Sequence, residues 1–243
     1  MANAEFLETK RRARVVGSFG GLDDLQRVQS GNLSRSFDLA EIRLDLLAAA
    51  GGPVTSSTWE HLAGVPLLFT ARRGSEGGRG DLSAGQRIEL LECALDDATC
   101  IDIEMASIGE MKELLETLQA RGIPWIASYH DFGKLPETRV LEDSARSAMV
   151  AGASVFKVAA MLHSPADMAR LADFQLADHD IPVATMGMGP LAPVSRLLCA
   201  QCGSVLNYGY LGETPTAPGQ WDAGFLKLAI ERLAAFSAED CRL

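Results

Sequence analysis

Short runs of apolar and β-branched residues alternate with longer amphipathic stretches along the whole chain. Eight runs qualify as strands, at 14–19, 39–46, 67–72, 99–105, 125–130, 155–160, 183–188 and 205–210. The stretches between them carry apolar residues at helical spacing. In 83–97, Ile88, Leu91 and Leu95 sit among Glu and Arg; in 108–120, Met111, Leu114, Leu115 and Leu118 form one stripe. Ser83 followed by Gln86 reads as a capping box. Gly122-Ile123-Pro124 and Asp180-Ile181-Pro182 each stop a helix just before a strand. Strict β–α alternation implies parallel strands with right-handed crossovers, and eight such units predict one domain over 1–243, an α/β fold of the (β/α)8 TIM-barrel type.

Composition fits that frame. The chain has 243 residues, 47% of them hydrophobic, enough to fill a barrel and its helical coat. A formal net charge of −10 argues against nucleic-acid or anionic-membrane partners, so a small anionic substrate has to be held by arginines gathered at the site. No apolar run approaches the roughly 18 residues of a membrane span. The segment 1–10 is polar, without the apolar core of a secretory leader. Five scattered cysteines do not form a disulfide framework, which makes the cytoplasm the expected compartment.

In a barrel of this kind the reacting groups sit at the C-terminal ends of strands. The second strand carries Glu41, Arg43 and Asp45 alternating with aliphatics, which puts the charges on the inner face. They must neutralise one another as an internal salt-bridge cluster or meet a ligand. The third strand carries Thr70 and Arg72 and opens into Arg73-Gly-Ser-Glu76-Gly77-Gly78, flexible enough to fold over a ligand but without a P-loop ending. The fourth alternates Asp102 and Glu104 with isoleucine. The fifth ends on His130, where neighbouring carboxylates favour an acid–base role over a structural one.

Lys157 stands in an otherwise apolar strand. Lysine is rarely buried without a partner or a task. Desolvation and nearby positive charge favour the neutral amine that a Schiff base needs. The structural alternative is an ion pair with Glu76, Asp102 or Glu104.

Two motifs are set aside. Gly187-Met-Gly189-Pro190-Leu-Ala192 has dinucleotide-loop spacing but falls at the seventh strand with too little chain after it, and Pro190 lacks an N–H for a pyrophosphate. Cys199-Ala-Gln-Cys202 has no second pair and reads as helix cysteines. Gly203-Ser204 reads as a turn.

Taken in order, Glu41-Ile-Arg43-Leu-Asp45, Thr70-Ala-Arg72 with Glu76-Gly-Gly, Asp102-Ile-Glu104, Ser128-Tyr-His130-Asp131-Phe132, Phe156-Lys157-Val158, Met186-Gly-Met188 with Ser195-Arg196, and Ala217-Pro-Gly-Gln220 resemble the type I 3-dehydroquinate dehydratases of the shikimate pathway. The resemblance spans nearly the whole chain. It implies that Lys157 forms the Schiff base, that His130 is the general acid and base, and that Glu76 and Asp102 orient the histidine. It further implies that Arg196 holds the substrate carboxylate, with Ser18, Glu41, Arg43, Arg72, Thr216, Ala217 and Gln220 around the ring and hydroxyls and Met186 and Met188 as an apolar wall. Thr216 stands where the family usually has serine, keeping the hydroxyl and adding a methyl. No metal or organic cofactor is implied, and the family often forms homodimers. The competing readings are another Schiff-base barrel of the aldolase type and a non-catalytic ligand-binding barrel.

Overall fold

The computed structural model describes residues 13–28, 36–213 and 215–234; the polar segment 1–10 lies outside the described residues. The strands are β1 Arg14–Phe19, β2 Leu39–Arg43, β3 Leu67–Thr70, β4 Cys100–Glu104, β5 Trp125–Asp131, β6 Val155–Met161, β7 Val183–Met188 and β8 Leu206–Leu211. The helices are α1 Leu22–Arg27, α2 Leu44–Ala49, α3 Ala84–Glu92, α4 Lys112–Arg121, α5 Thr138–Val150, α6 Pro165–Leu176, α7 Ala192–Gln201 and α8 Ala223–Ala234. The strands pair in parallel in the order β7-β6-β5-β4-β3-β2-β1-β8. The two ends of this sheet meet where Val205 N donates to Val183 O at 3.1 Å and Thr185 N donates to Ser204 Oγ at 3.1 Å. The result is the eight-stranded, nearly closed (β/α)8 barrel that the alternation predicts.

Period-two alternation sorts the strand side chains into two cores. Val16, Leu39, Leu68, Cys100, Ile126, Val155, Ala184 and Leu206 point inward and form the apolar floor of the barrel. Their neighbours Ala40, Ile42, Phe69, Ile101, Ala127 and Phe156 point outward and pack with helix residues such as Leu91, Leu114, Leu141 and Leu171. Each fully buried Leu, Ile or Phe among them contributes roughly 1.5–3 kcal/mol. Truncating one, as in Ile42→Ala, is expected to cost about 2–5 kcal/mol with the cavity it leaves. One step further along the strands the inward positions turn polar, at Ser18, Glu41, Thr70, Asp102, Ser128 and Lys157, all of them buried. The floor therefore sets the depth of the site.

Strand ends are the main departure from the expected elements. The second strand stops at Arg43, three residues before the expected end, because Asp45 belongs to the first turn of α2. There its carboxylate suits the helix dipole and takes both Arg43 Nε (2.8 Å) and Nη2 (2.7 Å). It also accepts the backbone N–H groups of Arg72 and Arg79, each at 3.2 Å. The expected helix 83–97 is shorter, ending at Glu92, although its Ser83–Gln86 capping box is present. The expected helix 108–120 begins only at Lys112, because Met105–Ser107 coils as a tighter turn first, and it ends on Gly122 at φ 65°. No helix of the described residues is long and apolar enough to cross a membrane.

Candidate active site

Lys157 is 3% exposed at an inward position of β6. Its Nζ donates to Asp102 Oδ2 of β4 at 2.8 Å. Asp102 Oδ1 accepts from Arg72 Nη1 at 2.9 Å and from Ser128 Oγ at 2.5 Å. The same Arg72 nitrogen donates to Glu104 at 3.1 Å, and Glu104 accepts in turn from Arg87 Nη1 of α3 at 3.0 Å. Arg87 also donates to Glu110, at 3.0 Å, nearer the surface. Charges of alternating sign thus run from Lys157 at the barrel axis through Asp102, Arg72, Glu104 and Arg87 to Glu110. The structural alternatives raised by the sequence are met in part. Among the charges expected on the second strand, Arg43 pairs with Asp45 while Glu41 accepts from Thr70 Oγ1 at 2.8 Å, and Lys157 is paired with Asp102.

His130, next to the C-terminal end of β5, brings Nδ1 to 2.9 Å from Glu76 Oε2, and the same oxygen accepts the His130 backbone N–H at 3.1 Å. Gly77 at φ 87° and Gly78, where a Cβ would overlap the Arg72 carbonyl, let the loop after β3 bring Glu76 inward. Of the two carboxylates expected to orient the histidine, Glu76 therefore touches it. Asp102 instead spends its hydrogen bonds on Lys157, Arg72 and Ser128 and acts on His130 through charge.

The charge states follow from burial. Burial lowers the Lys157 ammonium below its usual range, outweighing the opposite pull of Asp102, and Arg72 adds to the lowering. Burial also drives the His130 pKa well below 6.5, helped by Arg72 and Lys157. Glu76 is pushed up to about 7 by burial. Burial opposes the Asp102 carboxylate too, but Arg72 and Lys157 more than reverse this and hold it well below the usual range.

Arg196, on α7, is 1% exposed. Its Nη1 donates to the Tyr208 carbonyl at 2.8 Å, while Nε has no hydrogen-bond partner among the described residues. Burial lowers its pKa to about 10. A buried guanidinium that lines the cavity and keeps an unmet donor is suited to a carboxylate.

These residues share one cavity of about 60 Å³ at the C-terminal end of the barrel. Ser18, Glu41, Arg43, Arg72, Glu76, His130, Lys157, Met186, Met188, Arg196, Thr216, Ala217 and Gln220 all line it, and Asp102 lies beneath Lys157. On the closing loop, Gln220 Oε1 accepts from Thr216 N (2.9 Å), Thr216 Oγ1 (2.8 Å) and Ala217 N (3.2 Å). The Thr216 hydroxyl is thus occupied in shaping the loop through Gln220 Oε1.

Sequence reasoning passed over two further lining residues, Ala159 and Tyr208, and carried Gly77 and Phe132 only as parts of motifs. Tyr208 looks like ordinary core in an apolar strand, and only its inward parity marks it. Arg87 was passed over because a charged residue on a helix is usually solvated, yet it is 2% exposed. The glycine motif resolves as packing. A Cβ on Gly187 would overlap Leu162 and Ser195, and Gly187 N donates to Ser195 Oγ at 3.1 Å. Cys199 is a buried free thiol on α7, and Cys202 is a free thiol at its C-terminal end.

Fold and site together define a (β/α)8-barrel enzyme with a buried lysine and a histidine facing one cavity. The family model for Type I 3-dehydroquinase matches residues 22–234. The 3-dehydroquinate dehydratase of Methanothrix thermoacetophila is 35% identical over 221 residues, covering 91% of this chain and 92% of its own length. That of Neisseria gonorrhoeae is 33% identical, covering 86% and 87%. Among solved structures, 3-dehydroquinate dehydratase from Geobacillus kaustophilus superposes with a TM-score of 0.82 at 26% identity, covering 93% of this chain and 92% of that one. The chain belongs to the type I 3-dehydroquinase family.

Proposed function

We propose that this enzyme is a hydro-lyase that converts 3-dehydroquinate to 3-dehydroshikimate and water through a Schiff base on Lys157. The observation that carries the reading is a desolvated lysine amine, a neutral-leaning histidine and a buried arginine with an unmet donor lining one cavity.

The Lys157 amine adds to the C3 ketone, and the carbonyl oxygen leaves as water to give a protonated imine. The imine withdraws electrons and acidifies the adjacent C2–H. His130, kept neutral by burial, takes that proton and becomes an imidazolium. The resulting enamine expels the C1 hydroxyl, which takes the proton back from His130 and departs as a second water. One water then hydrolyses the imine, which frees the product and restores Lys157. The net change is loss of one water, by syn elimination, with no metal or organic cofactor taking part.

Arg196 is assigned to the substrate carboxylate, since its Nε is free and its charge is poorly balanced by the protein. Glu76 orients His130, and Asp102 holds the Lys157 nitrogen. This reading puts the enzyme in the shikimate pathway leading to aromatic amino acids.

The test is to incubate the protein with 3-dehydroquinate, reduce with borohydride and search by mass spectrometry for an adduct on Lys157. An adduct there, with the enone absorbance of product in the unreduced reaction, is expected. An unmodified Lys157 and no enone would overturn the reading.

A further inference from the structure

The Lys157 ammonium has a second neighbour besides Asp102. Its Nζ lies 4.3 Å from the centre of the Tyr208 ring. Tyr208 is 5% exposed, lines the cavity and is fixed on both sides. It pairs in register with Val16 of β1, and its carbonyl accepts the Arg196 Nη1 hydrogen bond.

The ring meets the lysine as a neutral aromatic face. Burial, with Asp102 and Glu41 close by, drives the phenol well above its ordinary value, so no phenolate forms at neutral pH. An aromatic face carries negative quadrupole density, and it attracts a cation most strongly when both are out of water. The other charged groups acting on Lys157 are Asp102 and Glu41 on the anionic side and Arg72 on the cationic side, with His130 a neighbouring group that burial keeps neutral. Asp102 engages Nζ through one hydrogen bond, and the ring approaches it as a face.

We propose that Tyr208 is a positioning residue for Lys157, its ring holding the side-chain nitrogen as a cation both before reaction and in the covalent intermediate. The inference rests on the reading of Lys157 as the imine-forming amine. It extends that reading, because the ammonium and the protonated imine are both positive at the same atom, so one ring stabilises both. Such a ring raises the pH needed to free the amine and also raises the population of the imine once formed. Simple filling of the core predicts neither effect.

Three replacements separate the possibilities: Tyr208→Phe, Tyr208→Leu, and pentafluorophenylalanine at the same position, which keeps the ring shape but reverses the charge of its face. The readouts are the pH dependence of borohydride-trappable adduct formation with 3-dehydroquinate and the fraction of enzyme trapped at saturation. Tyr208→Phe is expected to keep the wild-type acid limb, because it keeps the face. The leucine and pentafluoro variants are expected to move that limb down by about one pH unit or less, as the ammonium loses its support. Their trapped fraction is expected to fall by roughly three- to tenfold even though more free amine is present. If the leucine variant does not fold, the pentafluoro variant decides. Wild-type limbs and trapped fractions in the pentafluoro variant would overturn the role of Tyr208 and leave the imine reading standing. Absence of any adduct in the wild-type protein would instead remove the imine reading itself.

Discussion

His130 and Glu76 are joined twice through a single oxygen. Glu76 Oε2 lies 2.9 Å from the ring Nδ1 and accepts the histidine's own backbone N–H at 3.1 Å. The double contact fixes the imidazole in rotation as well as in position, and an ionised Glu76 holds the proton on Nδ1. That leaves Nε2 as the basic nitrogen. Burial acts on the two groups in opposite directions, pushing the carboxyl up and the imidazole down.

The first prediction concerns rate. With Glu76 at about 7, kcat/KM is expected to rise as pH increases through neutrality and the carboxylate becomes available to the histidine. Glu76→Gln should flatten that rise and lower kcat/KM by roughly 10–100-fold. A pH–rate profile that keeps its inflection near 7 in the variant would remove Glu76 from this role.

Stability should move the other way. A carboxyl raised from 4.5 to about 7 contributes most stability below pH 4.5 and loses it as pH rises through 7. Glutamine mimics the protonated form and does not ionise. Relative to wild type, Glu76→Gln should therefore gain roughly 2–3 kcal/mol between pH 5 and pH 8. Urea unfolding of both proteins at the two pH values checks this, and a constant difference counts against it.

Arg196 separates binding from folding. Arg196→Met removes a buried cation whose burial already lowers its pKa to about 10, so loss of its bond to Tyr208 is largely offset. Tm is expected to hold within a few degrees. KM should rise by roughly 10–100-fold, the value of a charge-assisted hydrogen bond to a carboxylate. An unchanged KM would place the carboxylate elsewhere.

The charge chain ends in two unequal links. Arg87→Met leaves Glu104 buried with one cation fewer and is expected to cost about 3 kcal/mol in urea unfolding. Glu110 is 46% exposed, and Glu110→Gln should change stability by less than about 1 kcal/mol. Equal effects of the two changes would show that the chain does not stiffen inward from the surface.

Gly219 ties the closing loop to the barrel. It sits at φ 74°, and a Cβ there would overlap the Gly189 carbonyl. Gly189 N donates to the neighbouring Pro218 O at 3.2 Å. Gly219→Ala should lift the loop, raise KM by about tenfold and speed amide exchange in 216–220, on a strain of roughly 1–3 kcal/mol. Ligand should slow exchange of that loop in the wild-type protein.

Much of the site could be read from the chain because it lies on strands. Lys157, Asp102, Glu41 and Arg72 each interrupt an apolar alternation, and inward burial of charge is conspicuous in a linear pattern. Tyr208 and Arg87 were not legible for opposite reasons. An aromatic in a strand conforms to its surroundings, while an arginine on an amphipathic helix conforms to the solvent face.

The sequence by itself determined which side chains share the barrel interior, because the pleat of a strand sends alternate residues to opposite faces whatever their partners. It also set the order of the eight units and the caps and stops between them. Only the tertiary structure decided which of the inward charges meet. Asp102 goes to Lys157, and Glu76 reaches His130 from a loop 54 residues away. Those pairings depend on the stagger between strands and on the path of the loops. Both are set by how the whole barrel closes, which no local pattern encodes.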